Sequence, residues 1–318
     1  MTKLLLEPKS NISLIEKCDG IILGLKGYSI GYEIEMTIEQ IKSFVEQYPK
    51  KDIFVVINKN IMNEELSSVE AILKELETVN IEGILFYDLS VLFIKQKNNL
   101  KINLVWNQTH MVTNYNTCNY YNSEGCKYAY LSSEITLDEM LEIINKSQIR
   151  TLVKVFGHPV MAHSKRKLLT NYFKHIRKKK NSNTYTIRET HLGKEYIINE
   201  DNNGTTVFEG KLVNGIKPSF DLNGKVDYFI IEEQANYIDE TIDVFNKVIN
   251  NKIEVGEATK VLDTYYSNAT EGFFYTKTIY KVKDDETNWV IISSRGHGTF
   301  KSNIIIWCRC SVYRWRKV

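Results

Sequence analysis

No ready-made catalytic loop stands in this chain: there is no Gly-x-Ser-x-Gly elbow, no P-loop and no Gly-x-Gly-x-x-Gly after an apolar run. The glycine-rich Arg295-Gly296-His297-Gly298 precedes no evident helix. What the chain does carry is a set of polar residues placed just beyond short apolar runs: Glu7, Asn58, Asp88, Asn107 with Gln108 and His110, Glu134, and His158. Amide, imidazole and carboxylate groups brought together could bind a small polyanionic or carbonyl-bearing molecule and shuttle protons. His110, Glu134 and His158 are the catalytic candidates. For Asp88 and Glu134 a second role stands beside the first, because a carboxylate there can stabilise the N-terminal dipole of the following helix. His110 and His158 with His163 and Cys118 could be drawn as a metal site, but no spacing of the HxH, HxxxH or CxxC kind supports one, and hydrogen-bonded histidines are the expectation. No metal is expected.

A second chemical character belongs to residues 164–180, which hold eight Lys and Arg side chains. Lys165, Lys167, Lys174, Arg177 and Lys178 could contact RNA phosphates, and Tyr172 offers a stacking face. The alternative is a solvated helix with an apolar stripe at Leu168, Leu169 and Tyr172. Any such patch is local, because 41 Lys and Arg against 39 Asp and Glu leave a net charge of only +2.

The elements that must position these residues follow from the hydrophobic pattern. Apolar runs at 4–6, 21–25, 53–57, 84–86, 102–105, 129–131 and 152–156 read as strands buried on both faces. Amphipathic stretches lie between them, such as 63–79, and 136–144 with Thr136 and Glu139 as a capping box. This βα rhythm predicts an α/β fold with a mainly parallel sheet and favours a TIM-type (β/α) barrel over an open sheet. In a barrel the ends of the strands converge, which turns the polar strand-end residues into one site. After the basic run, residues 184–189, 195–199 and 205–209 alternate with period two around Asp201-Asn202-Asn203-Gly204, a hairpin signature. A small antiparallel insertion is expected at about 177–225 within a domain of 1–283, and the βα pattern resumes at 226–231 with helices at 234–249 and 257–265. Arg166 is expected early in a helix that follows a barrel strand. From Thr287 onward no acidic residue occurs, so 284–318 reads as an atypical basic, apolar tail.

With 43% hydrophobic and 25% charged residues the composition is that of a soluble globular protein, which excludes disorder and collagen-like folds. The absence of a signal peptide or a spanning apolar stretch leads to the expectation of a cytoplasmic protein without a membrane association. Five scattered cysteines, Cys18, Cys118, Cys126, Cys308 and Cys310, form neither a disulfide framework nor a zinc pattern.

The ordered motifs Asn114-Tyr115-Asn116-Thr117-Cys118-Asn119-Tyr120-Tyr121, Leu131-Ser132-Ser133-Glu134-Ile135-Thr136-Leu137-Asp138-Glu139, Phe156-Gly157-His158, Ser164-Lys165-Arg166 and Asn171-Tyr172-Phe173 resemble the collagenase-like peptidase family U32. Glu271-Gly272-Phe273-Phe274-Tyr275 and Ile279-Tyr280-Lys281-Val282-Lys283 resemble its closing motif, so the likeness runs from Leu5 to about Lys283. Within the family the chain is most similar to a short, cysteine-poor branch linked to hydroxylation of the wobble uridine of transfer RNA with prephenate as donor. The resemblance implies tRNA as partner, prephenate as co-substrate, and action either alone or together with a longer U32 paralogue. Arg166 with Asn107 and His158 would face the carboxylates of prephenate, with Ser164, Asn171 and Tyr172 as further substrate contacts. Other branches hold an iron–sulfur cluster on four cysteines. Here residues 159–167 contain none, so no cluster is expected in this chain. A collagenase-like protease and a non-catalytic RNA-binding subunit are the competing readings.

Overall fold

Eight short strands rich in Leu, Ile, Val and Phe pair in parallel around a closed ring. They are β1 (Lys3–Glu7), β2 (Gly20–Leu25), β3 (Asp52–Ile57), β4 (Gly83–Phe86), β5 (Leu104–Trp106), β6 (Tyr128–Tyr130), β7 (Arg150–Gly157) and β8 (Tyr228–Glu232). Each strand pairs with its sequence neighbour, and β1 closes the ring by pairing with both β8 (Leu5 opposite Ile230) and β2 (Leu5 opposite Gly20). The computed structural model describes residues 1–189 and 193–277, of which Met1–Thr276 form one unit. The basic, apolar tail lies outside the described residues.

Helices run between the strands: α1 (Ile38–Gln47), α2 (Leu66–Leu76), α3 (Ser90–Lys97), α4 (Tyr115–Ser123), α5 (Leu137–Lys146), α6 (Leu168–His175), α7 (Ile216–Leu222), α8 (Ile238–Ile249) and α9 (Val255–Tyr265). Capping boxes start α1 at Thr37 with Gln40, and α5 at Thr136 with Glu139 as the sequence predicts. Alternation along the strands separates two cores. Leu5, Ile22, Phe54, Val56, Leu85, Val105, Tyr128, Leu152, Tyr228 and Ile230 fill the barrel, while intervening residues such as Leu4, Leu6, Val153 and Ile231 pack outward with the helices. At the N-terminal end of the barrel the buried phenols are satisfied: Tyr128 meets Glu82 and Arg150, and Tyr228 donates to Asp52 at 2.9 Å. Among the described residues no helix is long and apolar enough to cross a membrane.

Some boundaries differ from the sequence pattern for physical reasons. The amphipathic stretch 63–79 divides into a 3-10 turn, Asn63–Glu65, and α2, because Glu65 reaches back to the Met62 N–H and tightens the first turn. The sixth strand begins at Tyr128 rather than Ala129, since a tyrosine can line the barrel once its hydroxyl is paired. The expected antiparallel strands form over Thr184–Arg188, Glu195–Glu200 and Thr205–Glu209, and Asp201 Oδ1 accepts from the Asn203 and Gly204 amides at 2.7 and 2.9 Å in the turn. The small sheet also has a fourth strand, Val160–Ser164, paired antiparallel with Thr205–Glu209. Arg166 therefore stands in an exposed bend between that strand and α6, not within a helix, a correction to its expected setting.

Candidate functional site

The alternation that fills the barrel also fixes its chemistry. Two residues beyond Leu5, Leu152 and Ile230, the inward positions are Glu7, Lys154 and Glu232, on three neighbouring strands. The β7–β8 register shifts just past this point, which turns Val155 and Phe156 both outward and leaves Lys154 as the last inward residue of β7. Lys154 Nζ lies 2.6 Å from Glu232 Oε2 and 3.2 Å from Glu7 Oε2, with its side chain only 8% exposed. Lys9 holds the other Glu232 oxygen at 2.6 Å. Gly157 permits this approach: at φ +135°, a Cβ there would stand 2.5 Å from Glu232 Cβ.

The charges divide unequally. Burial opposes ionisation of Glu232, but Lys154 and Lys9 outweigh it and hold that carboxyl well below the usual range. Burial raises the Glu7 carboxyl; Lys154 pulls the other way, and the Glu232 charge adds to the rise. Burial also works against the Lys154 ammonium, yet the two carboxylates keep it protonated. Glu232 is thus a fixed anion and Glu7 the carboxyl able to exchange a proton. Next to them His158 is driven toward its neutral form, chiefly by burial. Its Nδ1 donates to the Glu209 carbonyl at 2.9 Å, which leaves Nε2 as the basic nitrogen. Burial and the nearby Glu7 push the Tyr32 hydroxyl up, and burial with Glu7 does the same for Tyr130, so both stay phenols at neutral pH.

The small sheet roofs this end of the barrel. Gly31 N–H donates to Asp201 Oδ2 at 2.9 Å, and Asn203 Nδ2 to the Ser29 carbonyl at 2.7 Å, so the hairpin turn is pinned to the loop after β2. Glu233 anchors the loop after β1 by accepting from the Lys9, Ser10 and Asn11 amides at 2.7, 2.8 and 3.0 Å. Between roof and barrel lies a cavity of about 170 Å³. Glu7, Lys9, Tyr32, His158 and Glu232 line it from the barrel side, and Thr184, Ile197, Asn199 and Phe208 from the roof. A proton donor and an imidazole acceptor facing one small cavity can perform general acid–base chemistry on a small group.

Of the sequence candidates, His158 stands in this cavity. Asn107 is buried two residues beyond inward-facing Val105, on the opposite wall of the barrel mouth. His110 is exposed in a short turn with its Nδ1 3.1 Å from Thr109 Oγ1, on the side of His163, which bonds Thr206 Oγ1 at 3.1 Å and packs edge-on against Tyr87. Glu134 lies in the turn before α5, where its amide meets Ser132 Oγ. Lys165, Arg166, Lys167, Asn171, Tyr172, Lys174, Arg177 and Lys178 are all exposed in the bend, α6 and loop that join the roof strands Val160–Ser164 and Thr184–Arg188, and Ser164 ends the fourth strand. No contact joins Arg166, Asn107 and His158 directly. Cys18, Cys118 and Cys126 are buried on separate elements with their thiols pushed up to about 12 by burial, and among the described residues no group of His, Cys, Asp and Glu could hold a metal ion.

Residue-type reasoning passed over Lys154, Glu232, Lys9 and Tyr32. A signal was present for the first two: a lysine inside the run Leu152-Val153-Lys154-Val155-Phe156 and a carboxylate ending Phe229-Ile230-Ile231 are costly unless they pair.

Residues 9–286 match the family model described as Peptidase family U32. The chain belongs to that family. This U32 protein is 24% identical over 282 residues to tRNA hydroxylation protein P2 of Bacillus subtilis (strain 168), covering 81% of this chain and 91% of that protein. Among solved structures, a U32 peptidase superposes with a TM-score of 0.47 at 11% identity, covering 74% of this chain and 94% of the other. The 3-keto-L-gulonate-6-phosphate decarboxylase of Vibrio cholerae O1 biovar El Tor gives 0.41 at 6% identity, covering 80% and 99%. The span matched by the family model takes in Lys9, Lys154, His158 and Glu232 as well as the whole roof.

Proposed function

We propose that this U32 protein acts in hydroxylation of the wobble uridine of transfer RNA, with the roofed barrel mouth as the reaction site and the basic segment between two roof strands as the RNA contact. Likeness to a tRNA hydroxylation protein over most of both chains supports the reading. The observation that carries it is the placement of Lys165, Arg166, Lys167, Lys174, Arg177 and Lys178, all exposed, in the segment that joins two strands of the roof, Val160–Ser164 and Thr184–Arg188, the latter contributing Thr184 to the acid–base cavity. In a chain of net charge +2 such a cluster concentrates positive potential beside the site. Glu7 would supply or take the proton and His158 Nε2 would accept one, while Lys154 holds the Glu7 and Glu232 carboxylates in place.

Prephenate is the co-substrate in this reading. Its two carboxylates call for unengaged cations, and the inner cavity has none, since Lys9 and Lys154 are held by Glu7 and Glu232. We assign it to the rim near Arg166, a guanidinium suited to bidentate carboxylate contact. A longer U32 paralogue is the partner, and tRNA as substrate puts the work in the cytoplasm. Peptide hydrolysis is disfavoured because neither hydroxyl that meets an imidazole suits it: Thr206 Oγ1 on His163 belongs to a fully buried residue, and Thr109 Oγ1 beside His110 lies outside the cavity.

The test is titration of tRNA against the purified protein over a range of salt. Changing Lys165, Arg166 and Lys167 together to alanine should weaken binding and reduce the log–log salt slope by roughly 2 to 3, about one unit per lost phosphate contact. Equal affinity and slope for variant and wild type would overturn the reading.

A further inference from the structure

We infer that the cavity under the roof is the seat of one unstacked pyrimidine base, the ring of the RNA nucleotide that reacts; the inference rests on the tRNA reading above and names where its substrate binds. Size is the first argument. A cavity of roughly 150 Å³ holds a benzene ring, and this one, at about 170 Å³, has room for a single six-membered ring but not for a nucleoside with its sugar and phosphate. A base can enter alone only if it leaves its stack, as bases do in enzymes that act on them.

Charge is the second argument. The cation lining the cavity, Lys9, is committed to Glu232 at 2.6 Å, and Lys154, behind the lining carboxylates, is held by Glu232 and Glu7 at 2.6 and 3.2 Å. An anionic group entering would face Glu7, Glu33 and Glu232 with no free cation to meet it, whereas a neutral heterocycle pays no such penalty.

The lining chemistry is the third. Tyr32 from the barrel side and Phe208 from the roof supply aromatic surface, and Ile197 adds an apolar one. Asn199 Nδ2 donates to Thr184 Oγ1 at 2.8 Å, which leaves Asn199 Oδ1 as an acceptor beside the Thr184 O–H as a donor. That acceptor–donor pair complements the ring N–H and adjacent carbonyl of uracil. Glu7 and His158 then stand at the barrel side of the ring, where proton transfer is needed. Gly31 keeps the seat closed: at φ +79°, a Cβ there would press to 2.8 Å from Thr206 Oγ1 and part the loop bearing Tyr32 from the roof.

The experiment is photocrosslinking of the full chain to an anticodon stem-loop RNA carrying 4-thiouridine at the reactive position, with crosslinked peptides mapped by mass spectrometry. Crosslinks at Tyr32 or Phe208 are expected. Phe208→Trp, which fills the cavity, should lower the Tyr32 crosslink about tenfold, the equivalent of one lost base–aromatic contact, while binding of the RNA through the basic roof persists. Ile197→Trp fills the same space from a neighbouring strand and gives the same readout should Phe208→Trp melt early. Crosslinks confined to residues 164–180 with wild-type RNA affinity would overturn the base seat and leave the tRNA reading standing. Failure of the wild-type chain to bind the RNA at all would overturn both.

Discussion

Replacing Lys154 by methionine keeps the length of the side chain and removes the ammonium between Glu7 and Glu232. Glu232 retains Lys9 at 2.6 Å, but Glu7, whose side chain is 12% exposed, loses the cation at 3.2 Å. Removing one partner of a buried ion pair costs about 3 to 5 kcal/mol, because the charge left behind is neither solvated nor compensated. The loss depends on pH with a definite sign. The Glu7 carboxyl is already raised above its ordinary 4.5, and without Lys154 it goes higher. A carboxyl whose pKa is higher in the folded state contributes stability that is complete below its unfolded pKa and is lost as pH rises through the folded one. The Lys154→Met defect should therefore be smaller near pH 5, toward the side on which Glu7 is protonated, than at about pH 8. Urea unfolding at the two pH values reads it directly. Adding Glu7→Gln should restore much of the stability at the higher pH by removing the stranded charge. A defect below about 1 kcal/mol at pH 8, or one equal at both pH values, would refute the placement of these groups as a buried ion cluster.

Three further substitutions probe the surroundings. Gly157→Ala places a methyl group against Glu232 Cβ and Lys154 Cε, at 2.5 and 2.7 Å, in a backbone conformation at φ +135°, and should cost at least about 2 kcal/mol in thermal or chemical unfolding. His163, held down to about 4 mainly by burial, is neutral in the fold but takes up a proton near 6.5 when unfolded, so its contribution is lost as pH falls from 6.5 toward 4. That amounts to about 3 kcal/mol, and His163→Gln should flatten the stability profile across this window. Glu200→Ala removes the carboxylate that accepts the Thr170 amide at 2.9 Å at the start of α6 and pairs with Lys180 at 2.7 Å; it should cost about 1.5 to 3 kcal/mol and lower hydrogen-exchange protection over residues 168–175.

The barrel was readable because its strands are buried on both faces and therefore written as plain apolar runs, and because capping residues such as Thr136 and Glu139 mark where α5 begins. The insertion hairpin was readable from Asp201 to Gly204 for a similar local reason, the side chain of Asp201 closing its own turn. The fourth roof strand was not, since Val160-Met161-Ala162-His163-Ser164 shows no clear alternation and is held by pairing with Thr205–Glu209, distant in sequence. The site was legible in part. Glu7 and His158 emerged from the rule that strand ends collect reactive groups. Glu232 stands just beyond the run 226–231 in the same way as Glu7 but was not counted, whereas Lys154 lies inside its apolar run, where that rule does not look, and only the closed ring brings β1, β7 and β8 side by side. Tyr32 enters through a loop whose course is set by Gly31 and by Asp201 of the roof, a contact between residues far apart in the chain.

The central claim, that this barrel mouth carries out a step of tRNA uridine hydroxylation, is tested most directly by mass spectrometry of nucleosides from transfer RNA. The strains to compare lack this gene, carry it, or carry it with Glu7→Gln, a change that preserves shape and removes the exchangeable proton. The hydroxylated uridine should fall in the deletion, return with the wild-type gene, and stay low with Glu7→Gln although that protein accumulates and binds tRNA. An unchanged modification in the deletion, or full restoration by Glu7→Gln, would contradict the account.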